Sequence, residues 1–341
     1  MNSRTISICF VRSMLSHCPE HQRAELFRRA GLAPDIIQQD KARISPAQFA
    51  QLSRSAMKVS GDEACGHYPG KLKLGTYRLL AQFVSEAKDL RSAIARNIQF
   101  IDILETGYQP HFKEAGRNAH YQIQPEAGCT VSPWVVEQHL MLTHRFMSWL
   151  VGTPIPLSYV GCHYPAPPHR DEYHFLFFSP MRFEQAQSEL VFESRLLDLP
   201  VVKSHDDLEA LVRQMPYNLL FMPSHQKNYT DQIRRYIRKS LPNSPSYEQI
   251  SESLGLTPQT LRRRLRDEGC DFRQIRNELL RDMAIDLLQQ SDASVQEISY
   301  QLGFSEPSAF IRSFRNWTGV PPNHYRRQEA AQFKADSVQS P

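Results

Sequence analysis

The chain lacks the short signatures that announce much of enzyme chemistry. It contains no GxSxG, no HExxH, no GxxxxGK[ST] and no GxGxxG following a strand, so no nucleophile elbow, zincin helix or nucleotide cradle is written into it. Its six cysteines (Cys9, Cys18, Cys65, Cys129, Cys162, Cys270) form no CxxC pair and follow no zinc-ligand spacing. That excludes a four-cysteine zinc set and points to a reducing compartment without structural disulfides. Long apolar runs are missing too. Ile6 to Val11 is too short for a signal core and sits between Arg4 and Arg12, and no stretch approaches the roughly 20 apolar residues of a membrane helix. A cytoplasmic protein with no membrane partner is therefore expected. Charge of one sign is also scarce: the net is +4 over 341 residues, and Asp231 to Gln328 holds 15 Arg and Lys against 12 Asp and Glu. Composition alone demands no polyanion, so any steering must come from local placement.

What is present is ordinary globular composition, 41% hydrophobic and 22% charged, at a length that suits two domains. Within the last hundred residues one pattern occurs twice. Ile250-x3-Leu254-Gly255-Leu256 precedes Thr257-Pro258-Gln259-Thr260-Leu261-Arg262-Arg263, and Ile298-x3-Leu302-Gly303-Phe304 precedes Ser305-Glu306-Pro307-Ser308-Ala309-Phe310-Ile311-Arg312. Each copy reads as a short scaffold helix, a glycine turn and a second helix, which is a helix-turn-helix. Ser246 with Gln249, and Ser294 with Glu297, fit capping boxes that start the two scaffold helices. Gly255 and Gly303 stand where a left-handed residue closes them.

Wound at 100° per residue, the second helix of the first motif puts Gln259, Arg262, Arg263 and Arg266 on one stripe opposite Leu261 and Leu265. The second motif puts Ser308, Ile311, Arg312 and Arg315 outward, opposite Phe310, Phe314 and Trp317. Both stripes hold arginine at the third and fourth positions. Arginine can bond guanine O6 and N7 together, Gln259 suits adenine, and Ile311 as a base contact would pack on a thymine methyl. Thr257 and Ser305 are expected at helix starts, where amides and a hydroxyl favour a phosphate oxygen. Between the motifs, Phe272 to Gln290 reads as one helix of nearly 30 Å at about 1.5 Å per residue. As a rigid spacer it would set the two reading helices into successive major grooves, about 34 Å apart. The plain alternative is a helical bundle whose arginines only solvate its surface. Two copies with matching caps, glycines and outward arginines weigh against it. Ahead of them, a helix over Thr230 to Leu241 is expected to pack Ile233, Ile237 and Leu241 while Arg234, Arg235, Arg238 and Lys239 stay wet, ending at Pro242-Asn243-Ser244-Pro245.

With these residues in place, the chain resembles the AraC/XylS family of bacterial transcription regulators. The likeness is nearly continuous over Val295 to Arg327, through Gly303-Phe304-Ser305-Glu306-Pro307-Ser308-Ala309-Phe310, Phe314, Trp317-Thr318-Gly319, Pro321-Pro322 and Tyr325-Arg326. It implies a seven-helix DNA-binding domain whose reading residues match Gln259, Arg262 and Arg263, then Ser308, Ile311 and Arg312. It also implies activation as the usual sign, with RNA polymerase as a partner. The first two thirds are similar to the arabinose-binding-like amino-terminal domain of one branch of that family. The stretches that carry this are Ala30-Gly31-Leu32, Ala42-Arg43-Ile44-Ser45 with Gln48-Phe49, Lys73-Leu74-Gly75, and Cys162-His163-Tyr164-Pro165-Ala166-Pro167. The name does not establish a sugar ligand.

In the amino-terminal part, helical spacing of Phe27, of Phe49, Leu52 and Ala56, and of Leu90, Ile94, Ile98 and Ile101 predicts early helices. Tyr108 to Glu114 and Ala119 to Gln124 predict a hairpin about Ala115-Gly116-Arg117-Asn118. Pro133 to Val151 reads as helix, and Leu157 to His163 and His174 to Phe178 as strands flanking a proline-rich loop. Phe175, Phe177, Phe178, Phe183 and Phe192 read as sheet core. Trp134, His139, His144 and Trp149 share one helix and read as packing before ligand site. His163, His169 and His174 beside Cys162 fit no zinc pattern and read as a surface loop. The expected architecture is an α+β effector and dimerisation domain (1–205), a linker region (206–228) with its hinge at Met222 to Asn228, an all-α tandem helix-turn-helix DNA-binding domain (229–328) and a disordered tail (329–341). The expected function is sequence-specific control of transcription from double-stranded promoter DNA by a homodimer without cofactor or metal, governed by a signal sensed in its amino-terminal domain, for which a small-molecule effector is one candidate. Two alternatives stand beside it: control by a protein partner, and a DNA-repair enzyme that uses the motifs for targeting.

Overall fold

The computed structural model describes residues 4–177, 179–213, 229–268 and 270–326. Phe178, the hinge expected at Met222 to Asn228 and the tail expected at 329–341 lie outside the described residues, as do the side chains of His174 and Phe175. In chain order come β1 (Ile6–Ser7), α1 (Ile8–Met14), α2 (Glu20–Arg29), β2 (Arg43–Ile44), α3 (Pro46–Ser60), α4 (Thr76–Ser85), α5 (Leu90–Ile101), β3 (Tyr108–Ala115), β4 (Asn118–Pro125), α6 (Pro133–Leu150), β5 (Leu157–Gly161), α7 (Tyr173–Phe177), β6 (Met181–Arg182), β7 (Ser188–Glu193) and α8 (His205–Arg213). They are followed by α9 (Tyr229–Ser240), α10 (Tyr247–Ser253), α11 (Pro258–Asp267), α12 (Phe272–Gln290), α13 (Val295–Gln301), α14 (Pro307–Thr318) and a 3₁₀ turn at Pro322–Tyr325. By contacts the described chain forms two compact units, one of residues 13–18 and 53–213, the other of residues 4–12, 19–52 and 229–326.

The first unit is built on one sheet of order β3-β4-β7-β5-β6, antiparallel except for the β5–β6 pair. The expected hairpin is there, β3 pairing with β4 from Tyr108↔Pro125 to Ala115↔Asn118 about Gly116-Arg117. Alternation then decides the faces: Ala119, Tyr121 and Ile123 of β4 and Leu190 and Phe192 of β7 are buried together with Leu140, Met147 and Leu150 of α6. His139 is buried in this core, its two ring nitrogens 2.8 Å from the hydroxyls of Tyr108 and Tyr121, and burial pushes its pKa down to about 3. His144 donates to the Ile155 carbonyl at 2.8 Å, and Trp149 stacks on Phe146. These side chains of α6 pack, as their spacing suggests.

Two segments differ from expectation. Tyr173–Phe177 is a helical turn and not a strand; Tyr173 and Phe177 are both buried and four residues apart, a spacing that a helix face and a strand face share. Phe177 therefore enters the core from a helix, whereas Phe192 does so from β7 and Phe183 packs at the core's edge. Residues 206–213, placed in the linker by the sequence, continue α8, whose Leu208 and Leu211 are buried in the same core.

In the second unit β1 and β2 pair antiparallel, Ile6↔Ile44 and Ser7↔Arg43. Ile233, Ile237, Ile250, Leu261, Leu265, Ile275 and Leu279 form the core under the first motif. Phe310 and Phe314 are fully buried under the second, with Phe304 packed edge-on against Phe310 at 5.5 Å and Phe314 against Tyr325 at 5.4 Å. Helix α12 contacts α9 on one side and α13 and α14 on the other, so it joins both halves. The seventh helix implied by the family likeness is a single 3₁₀ turn, Pro322–Tyr325, among the described residues.

Arg234 corrects the reading of α9. It is 2% exposed, and its Nη2 meets Asp282 Oδ2 of α12 at 2.8 Å. Asp282 also accepts from Thr5 Oγ1 at 2.5 Å and Arg281 Nη2 at 3.2 Å, while Arg43 Nε donates to Thr5 Oγ1 at 2.8 Å. Burial alone would push the Asp282 carboxyl up, but Arg281, Arg234, Arg43 and the Thr5 hydroxyl outweigh it and hold the pKa at about 2. Arg238 is half-buried beside Asp286 and Asp282, which leaves Arg235 and Lys239 as the exposed cations of that helix.

Candidate nucleic-acid interface

Each scaffold helix starts as its sequence demands. Ser246 Oγ accepts from Gln249 N at 3.2 Å while Gln249 Oε1 accepts from Ser246 N at 2.9 Å. Ser294 and Glu297 repeat this reciprocal arrangement at 3.1 and 2.6 Å. Both helices close on left-handed glycines, Gly255 at φ 66° and Gly303 at φ 80°. At Gly303 the need is double, since a Cβ there would lie 2.3 Å from the Pro242 carbonyl oxygen.

The two reading helices begin differently. Thr257 caps α11, its Oγ1 accepting from Thr260 N at 3.2 Å, with Pro258 at the first helical position. The corresponding cap of α14 is Glu306, which makes no side-chain capping bond, and Ser305 precedes it by one residue. The pairing of Thr257 with Ser305 is thus out of register: the turn of the second motif, 302–306, is one residue longer than that of the first, 254–257. Glu306 instead takes a hydrogen bond from Ser308 Oγ at 3.2 Å and sets a carboxylate at the mouth of α14. That carboxylate makes the start of α14 less favourable to an anion than the start of α11, where Thr257 is the cap.

The stripes fall outward. Thr257, Gln259, Arg262, Arg263 and Arg266 are exposed while Leu261 and Leu265 are buried beneath them. Ser305, Ser308, Ile311, Arg312 and Arg315 are exposed over buried Phe310 and Phe314, Ile311 at 40%. Trp317 is half-buried, its ring 6.2 Å from Phe304. Arg264, outside the expected stripe, is exposed as well and widens the cationic face of α11. Among the described residues none of Arg262, Arg263, Arg264, Arg266, Arg312 and Arg315 is paired with a carboxylate, in contrast to Arg4, Arg234 and Arg281. Solvated, uncommitted guanidiniums on two helices are chemically ready for base edges and phosphates. Among the described residues no three His, Cys, Asp or Glu side chains come together to hold a metal; His163 bonds Ser188 Oγ and His169 stacks on Tyr173. Among the same residues no helix is long and apolar enough to cross a membrane.

The model of the arabinose-binding domain of AraC transcription regulators matches residues 21–201, more than half of the chain, and a helix-turn-helix domain model matches residues 250–328. The chain belongs to the AraC family of transcription regulators, DNA-binding proteins of the helix-turn-helix type. It is similar to the ornithine utilization regulator of Pseudomonas aeruginosa, 26% identical over 325 residues that cover 94% of this chain and 96% of that protein. It is similar also to the virulence regulon transcriptional activator VirF of Shigella flexneri, 32% identical over 98 residues that cover 29% of this chain and 37% of that one. Among solved structures, the transcriptional regulator CdpR of Pseudomonas aeruginosa aligns over 82% of this chain and 86% of its own, at 19% identity and a TM-score of 0.31.

Proposed function

We propose that this regulator reads promoter DNA with α11 and α14 together and activates transcription when the amino-terminal domain takes up a small metabolite. The observation that carries the reading is the pair of exposed, uncommitted arginine stripes in matching phase on two capped helices. In this reading Arg262, Arg263, Arg266, Arg312 and Arg315 contact guanines and phosphates, Gln259 an adenine, Ser308 a base edge, Ile311 a thymine methyl, and Thr257 a phosphate. Ser305 stands at the periphery of the phosphate contacts.

The protein acts in the cytoplasm as a homodimer through its amino-terminal domain and touches RNA polymerase once seated on the operator. It carries out no catalysis. A metabolite signal is favoured by the match over 21–201 to a domain named for sugar binding, and by a relative of nearly the same length that is named for ornithine utilization. The ligand acts by holding one arrangement of the chain more tightly than another, which shifts the population able to occupy DNA. Selection of binding sites from random duplexes tests this: the native chain is expected to enrich a bipartite site, and Arg263→Ala with Arg312→Ala to enrich none. Enrichment of the same site by the double variant would overturn the assignment of both helices as readers.

A further inference from the structure

Four carboxylates are buried among the described residues: Asp62, Glu137, Glu189 and Asp282. Three of them are answered. Asp62 accepts from the backbone amides of Ala64, Gly66 and Leu72, Glu189 from His120, Gln122 and Tyr159, and Asp282 from Arg234, Arg281 and Thr5. Glu137, 4% exposed on α6, receives only two phenols, both on Oε1: Tyr173, closely, and Tyr164 at 3.4 Å. Its Oε2 accepts no hydrogen bond from any described residue, and no described Arg, Lys or His side chain forms an ion pair with it. A buried carboxylate without a counter-charge is unfavourable, and folds keep one chiefly where something else supplies the charge.

The surroundings suit a cation. The Phe183 ring stands 5.6 Å from that of Tyr173 at 64° and 6.2 Å from that of Tyr164 at 53°, so three aromatic rings at steep angles gather beside the carboxylate. Aromatic faces attract ammonium groups most strongly where water is excluded. Among the described residues no cation acts on the Glu137 carboxyl. Burial lowers the pKa of His163 and of His169, the two imidazoles that pack on these tyrosines, and raises the thiol of Cys162 to about 11. Pro165, Ala166 and Pro168, immediately after Tyr164 in the chain, are exposed, so the cluster adjoins the protein surface.

We propose that Glu137, with Tyr164, Tyr173 and Phe183, is the receptor for an organic ammonium group, the charged end of the signal molecule. The assignment rests on the reading that the amino-terminal domain senses a metabolite, and it narrows that metabolite to an amine. The Tyr164 and Tyr173 hydroxyls hold Oε1, and Oε2 is left for an N–H donor of the ligand. Burial raises Glu137 to about 7, so uptake of an ammonium also fixes the ionised form.

The test uses the full chain without DNA. Calorimetry and thermal shift are run with n-butylamine, putrescine, L-ornithine and L-arginine, and with n-butanol and butyramide as uncharged controls. At least one amine is expected to bind and to raise Tm, more tightly at pH 8 than at pH 5, while the controls do neither. Glu137→Gln is expected to weaken that amine tenfold or more, and Tyr173→Phe, which keeps the carboxylate, to weaken it by less. Absence of binding by all four amines, or an unchanged Kd in Glu137→Gln, overturns the proposal. Should Glu137→Gln fail to fold, an unchanged Kd in Tyr173→Phe does the same. Because DNA is absent, such a failure leaves metabolite sensing itself standing, whereas an amine that binds without altering promoter occupancy refutes the sensing role alone.

Discussion

Replacing Asp282 by Asn keeps the shape of the buried cluster and removes the carboxylate at its centre. Arg234 and Arg281 then lose the carboxylate that meets them at 2.8 and 3.2 Å, and the Thr5 hydroxyl, which Arg43 also addresses, faces a weaker acceptor. Removing one partner of a buried ion pair typically destabilises by about 3–5 kcal/mol, since the other charge stays desolvated. The pKa gives an independent lower figure. A carboxyl held at about 2 in place of 3.8 contributes about 2 kcal/mol at neutral pH. The sign follows from the direction: the folded pKa is depressed, so the contribution is complete above pH ~4 and fades as pH falls toward 2.

We therefore expect Asp282→Asn to lower stability by about 2–5 kcal/mol at pH 7. The assay is hydrogen exchange at the amides of α12 in the full chain, which localises the loss to the unit that contains Thr5. Thr5→Ala should lose about 1.5–3 kcal/mol, the range for a hydrogen bond to a charged group. In a double-mutant cycle the two effects should couple and not add, because both act on one carboxylate. A loss below about 1 kcal/mol for Asp282→Asn, or strict additivity with Thr5→Ala, would refute the view that residues 4–12 are stapled to α12 by this charge.

Further expectations concern single positions. Gly303→Ala combines a left-handed backbone with a Cβ 2.3 Å from a carbonyl oxygen, whereas Gly255→Ala meets the backbone strain alone; thermal melts should show a loss of about 1–2 kcal/mol for Gly255→Ala and distinctly more for Gly303→Ala. Arg263→Ala should reduce discrimination at one base by about 1–3 kcal/mol, while Lys239→Ala should weaken specific and random duplexes alike and flatten the salt dependence by about one unit. Competition binding separates the two, and equal losses on specific and random DNA for Arg263→Ala would remove it from the readers. Without ligand, Glu137 has a folded pKa raised to about 7, so its ionisation opposes folding increasingly as pH rises from the usual carboxylate range toward 7. Glu137→Gln should accordingly raise Tm at pH 8 and change it little at pH 5; an equal shift at both values would show that ionisation is not what matters there.

Much of the DNA-binding half was legible because its determinants are local. Capping boxes, proline at the first helical position, left-handed glycine and the phase of Leu261, Leu265, Phe310 and Phe314 each act over a turn or two, where sequence spacing and spatial spacing coincide. Failures came where the deciding partner is far away or the spacing ambiguous. Arg234 reads as a wet cation beside Arg235, but Asp282, 48 residues later, draws it inside, and Thr5 reaches the same carboxylate across 277 residues. Tyr173–Phe177 is too short for its aromatic content to separate strand from helix, because buried residues four apart share a face in either conformation. Ser305 resembled Thr257 by chemistry, yet the added residue of the second turn gives the cap to Glu306. Glu137 did leave a signal: it lies among Val135, Val136, Leu140 and Met141, all buried on α6, where an acid needs a reason.

Hydroxyl-radical footprinting on the site that the native chain selects is the most direct test of two reading helices per chain. Two protected windows on one face of the duplex, centred roughly one helical turn of 10–10.5 bp apart, are expected, with Arg263→Ala relaxing base preference in one and Arg312→Ala in the other. A single window, or two windows indifferent to both substitutions, would contradict it.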